Sequence, residues 1–424
     1  MSNTAPLLKV AVISDPQAYP TLNDWGMNNL EKAIRFLAPM KPDVLLMAGD
    51  LADHAIPETY AIYRELMEKY FDPMPLHVGC AGNHDYWTYP GEEKDTQKIY
   101  SEMSRLIGQK NENPLRETVN GYTFIALSED IPNGHSPEML ALLEKEIQAA
   151  IAENGDKPIF VVTHFHPFDT VVGSHNSSGR PELRELFNRY KQVVSISGHT
   201  HLPLEDERCI WQGEFTAINS STLAYGCVPE KCYNNCSVII PFAREVLDAM
   251  MIEIYPDHYD IHRYNVEDRR EIKPDKLWSC PIPHVPEKSK YTSARKMERS
   301  APEFPADAHA VIRYDFGYLY LIFDPAEHDD FTHFYDVKVY EKNGEEYMLK
   351  AEERYISDFY RLQGFSGRKL VYKLPSESIA PASICRVEIY PVETFGNVGK
   401  PLVFERQIPN ASGFLDGKTV CPQE

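Results

Sequence analysis

In the first half of the chain, short apolar runs alternate with longer segments whose apolar residues recur every three or four positions. "LLKVAVIS" is followed by "NNLEKAIRFLAPM", "DVLLMAGD" by "PETYAIYRELMEKY", "TFIALS" by "SPEMLALLEKEIQAAI" and "IFVVTH" by "PELRELFNRY", and "VVSISG" closes the series. The runs read as buried strands and the periodic segments as amphipathic helices. Such alternation predicts an α/β fold whose largely parallel sheet is covered on both faces. From Cys209 to Tyr255 the helical signals stop, and "CIWQGEFTAI", "CSVIIPF" and "AMMIEIY" predict a second sheet packed on the first. Between about His262 and Pro305 periodicity dissolves into prolines and basic residues, the signature of a linker. Only strand signals follow: "HAVIRYDF", "YLYLIFD", "DVKVYEKNGEEYML" with a hairpin turn at Asn343-Gly344, "KLVYKLP" and "CRVEIYPVETFGNVGKPLVFE". The pattern predicts a two-sheet α/β domain over residues 1–262, a Pro-rich basic linker over 263–305 and a smaller β-sandwich over 306–424.

Length and composition agree with this division. A chain of 424 residues exceeds what one core usually holds. The formal charge of −20 and pI of about 5.2 argue against a long nucleic acid as partner. No apolar stretch approaches the roughly 20 residues that span a bilayer, and "MSNTAPLLKVAVIS" has no basic signal-peptide n-region, so no membrane partner and a cytoplasmic location are expected. Eight cysteines in a chain of this length are not a disulfide scaffold, and Cys227, Cys232 and Cys236 lack paired C-x-x-C spacing, which reads as thiols rather than a zinc knuckle, with a local disulfide as the alternative.

Chemistry collects just past the ends of the N-terminal strands. Asp15 and Gln17 follow "VAVIS", Asp50 and Asp53 follow "VLLMA", and Asn83, His84 and Asp85 follow "LHVGCA". "FVVTHFH" adds His164 and His166, and "VVSISGHTH" adds His199 and His201. Each piece alone has an ordinary reading as a turn, a cap or a hydrogen-bonded strand-end residue. In an open α/β sheet, however, ligands bind outside the carboxyl ends of strands, so five such ends converge on one place. Carboxylate and amide oxygens with imidazole nitrogens form a donor set for divalent transition metals, and there are too many donors for one ion. Glycines 49, 82 and 198 are expected to let the backbone turn sharply as each donor is delivered.

The ordered series D-x-[HQ], G-D-x-x-D, G-N-H-D, a strand-end His and G-H-x-H, spanning residues 8 to 202, resembles the calcineurin-like metallophosphoesterases. The resemblance implies a two-sheet β-sandwich flanked by helices and two divalent ions, Mn, Fe or Zn. Asp15, Gln17, Asp50 and His201 would hold the first ion; Asp50, Asn83, His164 and His199 would hold the second, making Asp50 the bridge. His84 matches the family's catalytic histidine, with Asp53 as the carboxylate that orients it. The implied reaction is hydrolysis of a small phosphodiester or phosphomonoester by a metal-bridging hydroxide, with His84 as general acid. Many members carry His at the position of Gln17; an amide oxygen is the weaker, harder donor, so the first site should favour Mn²⁺ or Fe²⁺ over Zn²⁺.

"GDLADH" lacks the Arg-Gly of the protein Ser/Thr phosphatases, and the tyrosine ligand of purple acid phosphatases is missing from the second motif. "HFHP" is similar to the bacterial cyclic-nucleotide phosphodiesterase branch, which makes His166 either a substrate contact or a hydrogen-bonding support. Tyr19, Trp25, Tyr86 and Trp87 lie close to donors in sequence and are candidates to stack a base or sugar or to pack loop on sheet; of these, Tyr86 and Trp87 are the candidate substrate contacts. The polar segment from Tyr86 to Thr118 is long enough for a lid. "EIYPVETFGNVGKPL" resembles the closing strands of fibronectin type III-like domains, for which passive support, homo-oligomerisation and glycan binding are open roles. The competing readings are a catalytically silent metal-binding or protein-interaction module on the same scaffold, and a carbohydrate-binding module; retention of both His84 and Asp53 favours the enzyme.

Overall fold

The computed structural model describes residues 5–21, 24–90, 95–229, 239–315, 318–361 and 369–408. Cys232 and Cys236 of the cysteine cluster, and Glu92 and Glu93 of the expected lid, lie outside them. Two compact units result, one of residues up to 293 and one from residue 294 onward.

The first unit begins with β1 (Leu8–Ile13), α1 (Trp25–Leu37), β2 (Val44–Ala48), α2 (Pro57–Tyr70), β3 (Leu76–Cys80) and α3 (Thr96–Ile107). Next come β4 (Leu115–Val119), β5 (Tyr122–Leu127), α4 (Pro137–Asn154), β6 (Ile159–Thr163), β7 (His166–Pro167), β8 (Gly179–Arg180), α5 (Pro181–Phe187) and β9 (Val193–Ser197). The unit closes with β10 (Ile210–Gln212), β11 (Thr216–Asn219), β12 (Asp248–Ile254), β13 (His258–Asn265), β14 (Arg270–Glu271) and β15 (Trp278–Pro281). One sheet has the order β14-β13-β12-β1-β2-β3, with β15 also on β13, and the other β10-β11-β9-β6-β5-β4.

Strand pleating explains the layers, because successive residues point to opposite faces. In β1, Val10 and Val12 enter the core shared by the two sheets, while Ala11 and Ile13 face α1 and α2. In β6, Phe160 and Val162 enter the same inter-sheet core, and Ile159 and Val161 face α4 and α5. Helix α1 presents Met27, Leu30, Ala33, Ile34 and Leu37 as one apolar stripe, and the Asp24 carboxylate caps it by accepting from Met27 N at 2.8 Å. The result is a two-sheet sandwich flanked by helices.

Three expectations need correction. Each sheet is mixed rather than largely parallel: β1, β2 and β3 run parallel, but β12 joins β1 antiparallel. "AMMIEIY" forms β12 in the first sheet, whereas β10 and β11 extend the second. Residues 258–281, read largely as linker, pair as β13, β14 and β15. There the buried positions of β13 pass from Tyr259 and Ile261 to Arg263 and Asn265, so the apolar alternation breaks off midway; Arg263 Nη1 meets Glu207 Oε1 at 3.0 Å and its guanidinium lies over the Trp278 ring. The expected lid contains α3, whose Tyr100, Met103 and Ile107 are buried in the helix-side core. Cys80, Cys209, Cys227, Cys280 and Cys385 are buried free thiols. Among the described residues no helix is long and apolar enough to cross a membrane.

The second unit is all-β, with β16 (Ala310–Asp315), β17 (Tyr318–Phe323), β18 (Thr332–Asn343), β19 (Glu346–Ile356), β20 (Leu370–Leu374), β21 (Ile384–Glu393) and β22 (Leu402–Gln407). A sheet β16-β17-β20 and a sheet β19-β18-β21-β22 enclose Leu321, Phe323, Tyr335, Val337, Tyr372 and Val387. The β18–β19 hairpin turns through Gly344 at φ +65°, with Asn343 paired to Glu346.

Candidate metal centre

All five predicted strand ends meet at one edge of the first unit. Asp15, Asp50 and His164 are buried, with donor atoms within 4.8 Å of one another. The side chains fall into two groups that share this centre. In one, His201 Nε2 lies 3.2 Å from Asp15 Oδ1, and Gln17 Nε2 is 3.5 Å from both His201 Nε2 and Asp50 Oδ2. In the other, His164 Nε2 lies 3.3 Å from Asp50 Oδ2, 3.1 Å from Asn83 Oδ1 and 3.2 Å from His199 Nδ1.

Backbone carbonyls set the imidazole tautomers. His164 Nδ1–H donates to Ala48 O at 2.9 Å and His201 Nδ1–H to Tyr225 O at 3.0 Å, so both Nε2 lone pairs point inward. Asp15 is held by the Ser14 hydroxyl and by His199 N at 3.0 Å, and Asp50 by His84 N at 2.8 Å. Five donor residues, Asp15, Gln17, Asp50, His199 and His201, occupy left-handed backbone at φ between +47° and +69°. Side chains rarely adopt this conformation, and such strain persists only where the surroundings impose it.

The glycines act differently from the expectation. Of Gly49, Gly82 and Gly198, only Gly49 has a positive φ, +87°. At Gly82 an added Cβ would stand 2.2 Å from Asp50 Oδ1, and at Gly198 it would stand 2.2 Å from Asp15 Oδ2. These two make room for carboxylates instead of bending the chain.

The electrostatics fit a cation. Burial disfavours the charged form of His164, yet Asp50 and Asp15 more than reverse this and raise the ring to about 10. Two buried carboxylates this close demand positive charge; the His164 imidazolium answers it, and a bound cation would take over that role with the inward-facing Nε2 atoms as neutral donors. Gln17 presents its amide nitrogen to Asp50; as an oxygen donor it would turn its amide by half a rotation.

His84 stands beside these groups. Its Nδ1 lies 3.0 Å from Asp53 Oδ1, and its Nε2 faces the centre, 3.9 Å from Asp50 Oδ2. Burial works against the imidazolium, but the Asp53 hydrogen bond and the Asp50 charge outweigh it and raise the ring above its ordinary value. Burial would likewise raise the Asp53 carboxyl, yet bonds from His84, Tyr19 and His54 hold it at about 2. Asp85 ties the loops together, accepting from Ala52 N and Gly82 N, each at 2.9 Å, and from the Tyr60 hydroxyl at 3.2 Å.

The remaining candidates stand apart from the donors. His166 is fully buried, with Nδ1 at 2.5 Å from Ser197 Oγ and Nε2 at 2.9 Å from Thr200 Oγ1, so neither ring nitrogen faces outward. Tyr86 is buried and lines a cleft of about 700 Å³ with Tyr100, Asn113 and Glu129. Trp87 is 43% exposed, with its ring centroid 3.7 Å from that of His84. Trp25 packs on Tyr225 under the Arg244 guanidinium. The supports Ser14, Tyr225, Asp85 and Thr222, whose hydroxyl donates to Asp15 O at 3.2 Å, carry no assignment from sequence; only Asp85, inside "GNHD", has a signal there.

The family model for calcineurin-like phosphoesterases matches residues 8–203. A probable glycerophosphodiester phosphodiesterase of Arcobacter nitrofigilis is 26% identical over 171 residues, 38% of this chain, which spans 57% of that relative's length. A 3′,5′-cyclic adenosine monophosphate phosphodiesterase of Haemophilus influenzae is 24% identical over 57% of this chain and 85% of its own. Among solved structures, a dimetal phosphatase from Danio rerio is similar at 10% identity over 66% of this chain and 100% of that one, with a TM-score of 0.44. The matched segment contains every strand-end donor, so the likeness to calcineurin-like phosphoesterases covers residues 8–203, somewhat under half of the chain.

Proposed function

We propose that the first unit is a dinuclear-metal-dependent phosphohydrolase acting on a small phosphodiester. Asp15, Gln17, Asp50 and His201 would hold one divalent ion, Asp50, Asn83, His164 and His199 the other, as the two groupings around Asp50 support. Such ions, when bound, acidify a water and offset charge on phosphate oxygens. The single observation that carries the reading is the His84–Asp53 pair: Asp53 fixes Nδ1–H, leaving Nε2 aimed into the centre to give its proton to the departing oxygen. A site that only stored metal would have no use for that pair. The names of both relatives support a diester over a monoester. For the second unit, the division of seven strands into sheets of three and four supports a fibronectin type III-like reading.

The test is turnover of bis-p-nitrophenyl phosphate beside p-nitrophenyl phosphate by metal-stripped protein given Mn²⁺. On a diester with a basic leaving group, methyl phenyl phosphate, His84→Ala should lower turnover by roughly 10²- to 10⁴-fold with metal content intact. A faster monoester rate would overturn the diester preference, and an inert wild type with two ions bound would overturn the hydrolase reading.

A further inference from the structure

Behind the acid pair lies a second layer of polar contacts. Asp53 Oδ1 faces His84, and Oδ2 faces His54 Nδ1 at 2.9 Å. The Tyr19 hydroxyl is 2.9 Å from the same His54 nitrogen and also reaches the Asp53 carboxyl. One carboxylate thus gathers two imidazole N–H groups and a phenol, and an ionised carboxylate has acceptor sites for all three.

These partners are themselves held. Tyr89 stacks on His54 with ring centroids 4.9 Å apart at 14°. Tyr19 N donates to Asp24 Oδ2 at 3.1 Å, and Asp53 N donates to Ala18 O at 3.1 Å, which joins the Tyr19 loop to the Asp53 loop. Ala55 N donates to Trp87 O at 2.8 Å, joining the His54 segment to the loop that carries His84. Three loops after β1, β2 and β3 are therefore cross-braced at one carboxylate.

We propose that Tyr19 and His54 are positioning residues, which fix the Asp53 carboxylate so that the His84 proton is delivered to the leaving group. The inference rests on the phosphohydrolase reading. As the P–O bond breaks, the leaving oxygen takes the bonding pair and the Nε2 proton of His84. An Asp53 free to rotate would leave Nδ1–H unheld and Nε2 misaimed, and misalignment of this kind is costly in rate. The cost falls on leaving groups in proportion to their basicity, since a weakly basic phenolate departs without a proton.

The experiment measures kcat, KM and bound metal for a series of methyl aryl phosphodiesters, from p-nitrophenyl to unsubstituted phenyl. Tyr19→Phe should lose kcat increasingly as the phenol becomes more basic, roughly tenfold more at the phenyl end than at the p-nitrophenyl end, a fraction of a general acid's full effect. KM and metal content should stay put. His54→Gln should show the same trend and serves as the second variant should Tyr19→Phe fail to fold. In a His84→Ala background neither substitution should steepen the dependence further, because residues acting as a unit are non-additive. An equal loss across the series, or no loss, overturns the inference while leaving the hydrolase reading standing. A wild type inert on the whole series overturns both.

Discussion

Two buried charge clusters, one in each unit, are handled in opposite ways. In the second unit, Arg299 meets Asp330 Oδ2 at 2.7 Å and Glu393 Oε2 at 3.0 Å, and the two buried carboxylates are matched by one guanidinium. Burial disfavours that guanidinium's charge, but Asp330 and Glu393 raise its proton affinity above the ordinary value. In the first unit, Asp15 and Asp50 are buried among histidines on left-handed backbone. Charge that is matched by an arginine serves the fold; carboxylates gathered at strand ends under strain serve a ligand. The difference teaches where to look for chemistry: strained donors converge in one place and the satisfied ion triad in another.

The sharpest break of this contrast is Asp50→Asn. It should cost both bound ions and take turnover to background, as read by metal analysis; retention of one full equivalent of metal would refute the bridging role. Removing charge from the second unit should behave otherwise. Arg299→Ala removes the guanidinium that faces the buried carboxylates of Asp330 and Glu393, so denaturation should show a loss of roughly 3 kcal/mol with metal binding unchanged.

The smallest effect concerns His77, buried in the first unit away from the donors. Its Nδ1 meets Gln109 Oε1 at 3.0 Å, and burial lowers the ring to about 4, the Arg64 charge adding to this. The folded state resists a proton that the unfolded chain accepts near 6.5. Stability is therefore whole well above pH 6.5 and lost as pH falls toward 4, with on the order of 1 kcal/mol gone by pH 5.5. Urea denaturation of wild type against His77→Gln should show that slope vanish in the variant.

Much of this site was legible because the convergence rule for strand ends needs only the order of runs and the residues after them. The strands β1, β2, β3, β6 and β9 are fully or nearly fully buried, and each donor follows within a few residues. What escaped depended on tertiary partners. Strand β13 hides its inward positions behind Arg263, which reads as solvent-facing until Glu207 and Trp278 are seen around it. Gly82 and Gly198 read as turns, since a carboxylate 2.2 Å from an absent Cβ has no local signature. His166 sits two residues from a donor, yet β6 ends at Thr163 and His166 opens β7, where its ring meets Ser197 and Thr200. The bracing of Asp53 by Tyr19 joins residues from two loops, and the sequence shows only two unrelated polar side chains.

The most direct test of the central claim is titration of metal-stripped protein with Mn²⁺ while following both bound metal and hydrolysis of bis-p-nitrophenyl phosphate. The account predicts that turnover appears with Mn²⁺ and saturates at two equivalents per chain. Saturation at one equivalent, or turnover indifferent to stripping, would contradict it.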